Sequence, residues 1–419
     1  MVRLEFLGAM SSVGASAVLV DNEKEKIVLD YGTRVREVPP KFPIPINSKV
    51  DAVLLSHSHL DHSGGIPILT NKNHCPVYSL DVTKELTELL LLDSVKISHE
   101  EGIELPFTKK DVGKCIKSFI SVKYRNPFTI NNVKVTYFDA GHIPGSAMIF
   151  LEFNDKTLLY SGDFNTIDTR LIKKFDEKVP KADFLITEST YSDREHPDRK
   201  REEKNLVQMV RETIDNGGTS LISGFAISRI QEVLLILDKY GIDFPVYMDG
   251  MAKKATTIIN KYPHHLANRK DLDRALEKVV YVNKDRQRKR IIKQPCVILT
   301  TSGMLNGGPI VWYLKRLFKE ENCSLILTGY QMEDTPGRIL LETGRFVYED
   351  LNLEVRMRVK RFDLSAHVGR GGLFEFIEKI SPEKVFCVHG DHTEEFANEL
   401  KERGFDAIAP VANNRIFEI

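Results

Sequence analysis

DAVLLSHSHLDHSGG, residues 51–65, passes from an apolar strand into a polar loop that ends on two glycines. Between His57 and His62 it supplies His57, His59, Asp61 and His62. Imidazole and carboxylate are the usual ligands of a catalytic zinc-like ion. In an extended segment, His57 and His59 point the same way, because side chains alternate with a period of two. The turn that follows lets Asp61 and His62 face a second ion. A lone histidine is more often structural, but three histidines and an aspartate in this pattern reverse the odds in favour of metal.

Working outward, three more polar residues stand directly after apolar strands: His142 in DAGHIPGSAM, Asp163 in LLYSGDFN and His389 in VFCVHGD. Asp30, in VLDYG, reads equally as the partner that orients a ligand histidine and as the cap of a turn. His392 is close enough to His389 to line the same pocket. His74, His99, His196, His264 and His265 read as surface or loop residues.

The surrounding pattern supplies the scaffold. Leu4–Leu7, Ala17–Val20, Ile27–Leu29 and Ala52–Leu55 read as strands, Val82–Leu92 as a helix, and Val133–Phe138, Met148–Phe153, Thr157–Tyr160 and Phe184–Thr187 as further strands. The polar run SDREHPDRKREEKN, residues 192–205, marks a domain boundary. Beyond it, helices (about 204–216 and 228–240) alternate with strands at Thr219–Ser223, Val246–Met248, Val279–Val282, Cys296–Thr300 and Ser324–Thr328. That alternation is the α/β pattern of a parallel sheet. After about Gly344 the earlier style returns, with strands at Val355–Val359 and Val385–Val388. The expected division is therefore 1–192 with 345–419, and 193–344 inserted.

Composition narrows the class. A chain of 419 residues exceeds one domain of roughly 150, so two or three cores are expected. Hydrophobic residues make up 42%, an ordinary share for a globular protein. No apolar run reaches the roughly 20 residues that span a bilayer, and the N-terminus reads as a strand rather than a signal peptide. A cytoplasmic protein without a membrane partner is expected. The five cysteines are scattered and form no CxxC pair, which suits buried thiols in a reducing compartment. Lys+Arg and Asp+Glu both number 59, so net charge gives no support for nucleic-acid binding, although a local basic groove can hide in a neutral total.

HSHLDHSGG with AGHIPGS and YSGDF resembles the metallo-β-lactamase superfamily. TESTY, with Glu188, resembles the acidic motif of the β-CASP nucleases, and LSAHVGR, with His367, and VHGD, with His389, resemble the two later histidine motifs of that family. GFAISRIQEVLLIL, YMDGMAKKAT, TTSGMLNGGP and GYQMEDTPGR resemble its inserted domain. The match covers essentially the whole chain. It is nearest to the archaeal proteins similar to the nuclease subunit of cleavage and polyadenylation specificity factor, with ribonuclease J close behind.

The resemblance implies an α/β fold: a metallo-β-lactamase αββα sandwich with an inserted α/β β-CASP domain built on a parallel sheet. It implies two zinc ions, one held by His57, His59, His142 and Asp163, the other by Asp61, His62, Asp163 and His389, with Asp163 bridging. This mixed nitrogen and oxygen set suits manganese as well. Two divalent ions carry four positive charges, of which Asp61, Asp163 and a hydroxide would neutralise three. The remaining one complements a phosphodiester anion and the extra charge of its transition state. His367 is the candidate general acid, with Glu188 orienting it and keeping it protonated.

The inserted half offers weaker signals. Gly-rich loops at Ser302–Gly308, with Ser302 and Gly303, and at Thr335–Arg338 follow strands and could present N–H groups to phosphates. Glycine also serves tight turns, so the loops alone decide nothing. Arg229 and Arg338 either add charge to a cleft or form ordinary ion pairs. KDRQRKRIIK, residues 284–293, is by default a solvated helix face, the alternative being a rim that tracks RNA phosphates.

The expected function is a metal-dependent ribonuclease acting on single-stranded RNA, as an endonuclease, a 5′→3′ exonuclease or both, in RNA processing or decay. A homodimer and an RNA-processing or decay complex are the partners the family suggests. SAHVGRGG stands where ribonuclease J has a longer histidine- and serine-containing motif. No added domain is expected before Met1 or after Ile419, which weighs against processive 5′-end-first degradation. The competing classes are a small-molecule metallo-hydrolase and a non-catalytic RNA-processing scaffold. The roughly 150-residue insert weighs against the first, and the retained metal-ligand positions against the second.

Overall fold

A computed structural model describes residues 2–34, 39–153, 155–241 and 243–419. The chain divides into two compact units, Met1–Asp168 with Lys174–Glu195 and Ala366–Ile419, and Thr169–Lys173 with His196–Ser365.

The first unit is an αββα sandwich. One seven-stranded sheet has the order Ile416–Glu418, Arg3–Phe6, Val18–Asp21, Lys26–Leu29, Ala52–Leu54, Val77–Leu80, Phe119–Val122. The other has the order Ala407–Ile408, Lys384–Val388, Phe184–Glu188, Lys156–Tyr160, Ala147–Phe153, Val133–Asp139, Phe128–Ile130. The strands explain the layering. Val18, Val20, Ile27, Leu29, Ala52 and Leu54 face one core, shared with Val135, Tyr137, Ile149, Leu151, Leu158 and Ile186 of the opposite sheet. The intervening Leu19, Val28, Val53 and Leu55 face a second core under the helices Ile66–Asn73, Asp81–Glu100 and Lys109–Lys117. Met148, Phe150, Leu159, Leu185, Val385 and Cys387 face a third, under Arg370–Ile380 and Thr393–Glu402. A strand buried on both faces reads as a near-continuous apolar run, which is why DAVLL precedes the histidine loop.

The second unit carries a six-stranded sheet in the order Val279–Tyr281, Val246–Met248, Cys296–Thr300, Thr219–Ser223, Ser324–Leu327, Arg358–Arg361. Every pairing in it is parallel.

Three features differ from the sequence reading. The strand expected at Val355–Val359 forms at Arg358–Arg361 and pairs with Ser324–Leu327, so the second unit runs to Ser365, beyond the boundary expected near Gly344. In RVKR only Val359 packs against the core, and three cationic neighbours mask the strand. The polar run at the first boundary is partly helix, since Asp198 caps Arg199–Asp215 by accepting the Arg201 N–H. Thr335–Arg338 is a helix start rather than a loop, with Thr335 accepting the Arg338 N–H at the head of Pro336–Thr343.

All five cysteines are buried and unpaired. No helix among the described residues is long and apolar enough to cross a membrane.

Candidate active site

The histidine loop leaves the strand Ala52–Leu54, bends at Ser58 and His59, and makes a single helical turn, Leu60–Ser63, that begins after His59. The turn, rather than an extended strand, is what brings Asp61 and His62 back beside His57. It is pinned by the segment after Lys26–Leu29 and by Ser16, just before Val18–Asp21. Tyr31 N–H donates to His62 O at 2.9 Å, Thr33 N–H to Leu60 O at 2.9 Å, and Ser16 N–H to Asp61 O at 2.8 Å. Gly32 sits within this contact, where a Cβ would stand 1.7 Å from Asp61 O.

Two groups of ligand atoms result, each drawn within 4.8 Å: His57, His59, His142 and Asp163, and Asp61, His62, Asp163 and His389. Asp163 is common to both. Its Oδ2 lies 3.5 Å from His57 Nε2 and 3.8 Å from His142 Nε2. Its Oδ1 lies 3.3 Å from His62 Nε2 and 3.8 Å from His389 Nε2.

Four of the five imidazoles, those of His57, His62, His142 and His389, are oriented by their other nitrogen. His142 Nδ1 donates to Ala366 O at 2.9 Å, which leaves its Nε2 a lone pair aimed inward. His389 Nδ1 lies 2.7 Å from Ser16 Oγ, and His57 Nδ1 lies 3.1 Å from Ser56 Oγ. His62 Nδ1 lies 2.7 Å from Asp30 Oδ2. Asp30, fully buried, also accepts Ser56 N–H at 2.7 Å, Ser56 Oγ at 2.6 Å and Tyr160 Oη at 2.7 Å. The two readings of Asp30 therefore coexist, since it braces the turn and contacts a histidine of the cluster.

The donor set fits divalent cations. His57 Nε2 and His142 Nε2 each sit 3.2 Å from His59 Nδ1, an arrangement of facing lone pairs that one shared proton cannot satisfy. Asp163 Oδ1 and His389 Nε2 are buried and make no hydrogen bond. Burial pulls His59 down to about 4, and burial followed by neighbouring imidazolium charge holds His57 and His142 well below the ordinary range, so these rings are neutral, as ligands must be. Burial alone would raise Asp163, but His62 and His389 hold it well below the usual carboxylate range.

Beside this cluster, Glu188 Oε2 lies 2.9 Å from His367 Nδ1. The His367 ring stands 4.4 Å from that of His142 and 5.9 Å from that of Tyr191. Against the lowering effect of burial, the charges of Glu188 and then Asp163 raise His367 to about 9, which keeps it protonated at neutral pH.

The remaining candidates lie in the second unit. Ser302 donates to Asn306 Oδ1 at 2.8 Å, and Ser223 Oγ donates to Ser302 O at 2.7 Å. A Cβ on Gly303 would meet Gly224 and Phe225, and one on Gly224 would meet Arg229. Ser302, Gly303 and Arg229 thus gather at the C-terminal ends of Thr219–Ser223 and Cys296–Thr300. Arg338 pairs with Glu342 on its own helix, the ordinary ion pair of its two readings. His392 is exposed, 4.0 Å from Asp193 and Glu395. Two histidines read as surface residues are not free there: His265 is buried, and His196 lies 3.2 Å from Asp363. Ser16, Ser56, Tyr160 and the Ala366 carbonyl were missed. Ser16, Tyr160 and Ala366 have partners remote in sequence, and Ser56, although beside His57, is a common residue, so no local pattern marks them.

A sandwich with buried imidazoles and carboxylates converging from its loops defines a metallo-hydrolase. The chain matches a metallo-beta-lactamase superfamily domain over residues 18–184, a Beta-Casp domain over 230–340 and a Zn-dependent metallo-hydrolase RNA specificity domain over 352–410. It belongs to the β-CASP family of metallo-β-lactamase nucleases. It is 39% identical to "Probable RNase MJ4" of Methanocaldococcus jannaschii, covering 99% of this chain and 100% of that protein. It is 36% identical to "RNase aCSPSF2" of Saccharolobus solfataricus, covering 97% and 83%, and 35% identical to "Transcription termination factor FttA" of Methanocaldococcus jannaschii, covering 96% and 69%. A crystal structure of a protein of unknown function from Enterococcus faecalis V583 superposes with a TM-score of 0.63 at 14% identity, covering both chains fully, which shows the shared fold alone.

Proposed function

We propose that this chain hydrolyses phosphodiester bonds of single-stranded RNA at a site that takes two zinc ions, for which manganese is an alternative. His57, His59 and His142 would hold one ion, Asp61, His62 and His389 the other, and Asp163 both. The carrying observation is the position of Asp163, whose two oxygens face the two histidine groups separately. When bound, the ions supply a nucleophile at neutral pH and stabilise charge on the phosphoryl oxygens.

The chain's own residues do the rest. Asp30, Ser16 and the Ala366 carbonyl orient the ligand rings, so little reorganisation is needed on loading. Glu188 commits Nδ1 of His367, which leaves Nε2 as the atom that delivers a proton to the departing ribose oxygen. Arg229, Ser302 and Gly303 would contact the RNA from the second unit, and Arg338, already paired with Glu342, would contribute less. A homodimer and a place in an RNA-processing or decay complex belong to the same reading and rest on family membership; a cytoplasmic location belongs to it too and rests on the scattered cysteines and the strand-like N-terminus.

Labelled linear and circular single-stranded RNA, with His57→Ala and His367→Ala as controls and metal content measured in each, tests it. Cut circles mean endonuclease action, and mononucleotides from linear RNA alone mean exonuclease action. Wild-type rates in both variants, or thioester hydrolysis with RNA left intact, would replace this reading.

A further inference from the structure

The basic run 284–293 contains six cations and one carboxylate. They do not share one role. Asp285–Ile291 is a helix. Arg288 turns inward, where its guanidinium grips the buried Asp249 through Nε at 2.7 Å and Nη2 at 3.2 Å. It also pairs with Asp285 at 2.9 Å, which uses up the run's only acid. Ile291, three residues on, is buried. The opposite face carries Arg286, Lys289, Arg290 and, two residues past the helix, Lys293. That spacing of i, i+3, i+4 and i+7 puts all four on one side. All four are exposed.

The same Asp249 accepts Tyr313 Oη at 3.0 Å, which ties this helix to its neighbour Pro309–Leu317. On that neighbour stands Trp312, the only tryptophan of the chain and only partly buried. The Arg316 guanidinium lies 3.8 Å from its ring centroid and that of Arg288 6.0 Å. Among the described residues, none of Arg286, Lys289, Arg290, Lys293 and Arg316 has an ion pair with a carboxylate.

We propose that Arg286, Lys289, Arg290, Lys293, Trp312 and Arg316 form a docking face for single-stranded RNA, the four helix cations meeting phosphates and Trp312 with Arg316 meeting bases. The proposal rests on RNA being the substrate. Cations beside a partly exposed ring with a stacked guanidinium are what sequence-tolerant single-strand sites use. An acidic protein segment would engage the cations and leave the indole without a purpose.

The lone tryptophan makes the face directly observable. A short phosphorothioate-linked single-stranded RNA is titrated into the full chain while Trp312 emission is followed across a range of salt. RNA should quench the emission. R286A/K289A/R290A/K293A should bind at least about tenfold more weakly and flatten the log–log salt slope by about 3, at roughly 0.7 per phosphate contact. R290E, a single exposed change, should weaken binding in the same direction. An unchanged slope in the fourfold variant, or emission indifferent to RNA, would overturn the proposal, as would polyglutamate binding as tightly as RNA. RNA bound here but never cut would leave this face standing and remove the ribonuclease reading. Cleavage with an unchanged slope would do the reverse.

Discussion

Glu188 holds His367 through one carboxylate oxygen and the backbone beside Asp163 through the other. Oε2 lies 2.9 Å from His367 Nδ1, while Oε1 accepts the Phe164 N–H at 2.8 Å. The proton donor and the shared metal ligand that we propose are therefore set by one buried side chain. His367→Ala should slow RNA cleavage by about 10²–10⁴ without changing metal content. Glu188→Gln keeps an acceptor for Phe164 and removes the charge, so it should lose part of that factor. Single-turnover rates decide it: a substrate with a good leaving group, such as a p-nitrophenyl phosphodiester, should be nearly insensitive to His367→Ala. Equal losses on both substrates would remove the general-acid role.

Asp30 accepts four hydrogen bonds, from Ser56 twice, Tyr160 and His62, with no exposure to solvent. Its φ is +55°, a conformation asparagine tolerates. Asp30→Asn should therefore fold, but with roughly 10- to 100-fold weaker metal affinity and a stability loss of about 1–3 kcal/mol from imperfectly matched donors. Competition with a calibrated chelator reads the first and denaturant unfolding the second. Unaltered metal affinity would leave Asp30 as a turn brace only.

Gly32 stands where a methyl group would overlap the Asp61 carbonyl and lie 2.6 Å from His62 N. Gly32→Ala must push back the turn that presents both residues. We expect about 1–3 kcal/mol of destabilisation and a fall in bound metal, measured by elemental analysis of the purified variant. A fully loaded, equally stable variant would show that the turn can shift without cost.

Asp139 supplies a pH dependence apart from the ligand cluster. Burial, and then the charge of Asp176, raise it to about 7 against the pull of the Gly141 N–H and Arg125. The sign follows from linkage. Between about pH 4 and pH 7 the unfolded chain has released this proton and the folded chain retains it, so stability falls as pH rises through that window. The contribution is on the order of 2 kcal/mol once partial exposure is discounted. Asp139→Asn should flatten this part of the stability–pH curve and be the more stable form at pH 8. Parallel curves for the two proteins would contradict it.

Much of the fold is legible because its strands are buried on both faces. Cys296–Thr300, Thr219–Ser223 and Val246–Met248 are short apolar runs with polar ends, and they occur as strands at the expected positions. Arg358–Arg361 escapes because an edge strand needs only one core-facing residue. The helix Arg199–Asp215 hides in a polar run because its solvent face is charged and its cap lies inside that run.

The sequence by itself determined the family, the sandwich with its insert and the six side chains that converge around Asp163. Those side chains sit in short motifs at strand ends, where a few adjacent residues carry the whole chemical signal. Only the tertiary structure decided what orients them. His389 meets Ser16 across 373 positions, and His142 meets the Ala366 carbonyl across 224. It alone separated Arg288, spent on Asp249, from its outward neighbours, and assigned Arg338 to Glu342. A serine, a backbone carbonyl or one arginine among six cations has no distinctive local pattern. Its role is set by the group that folding places against it.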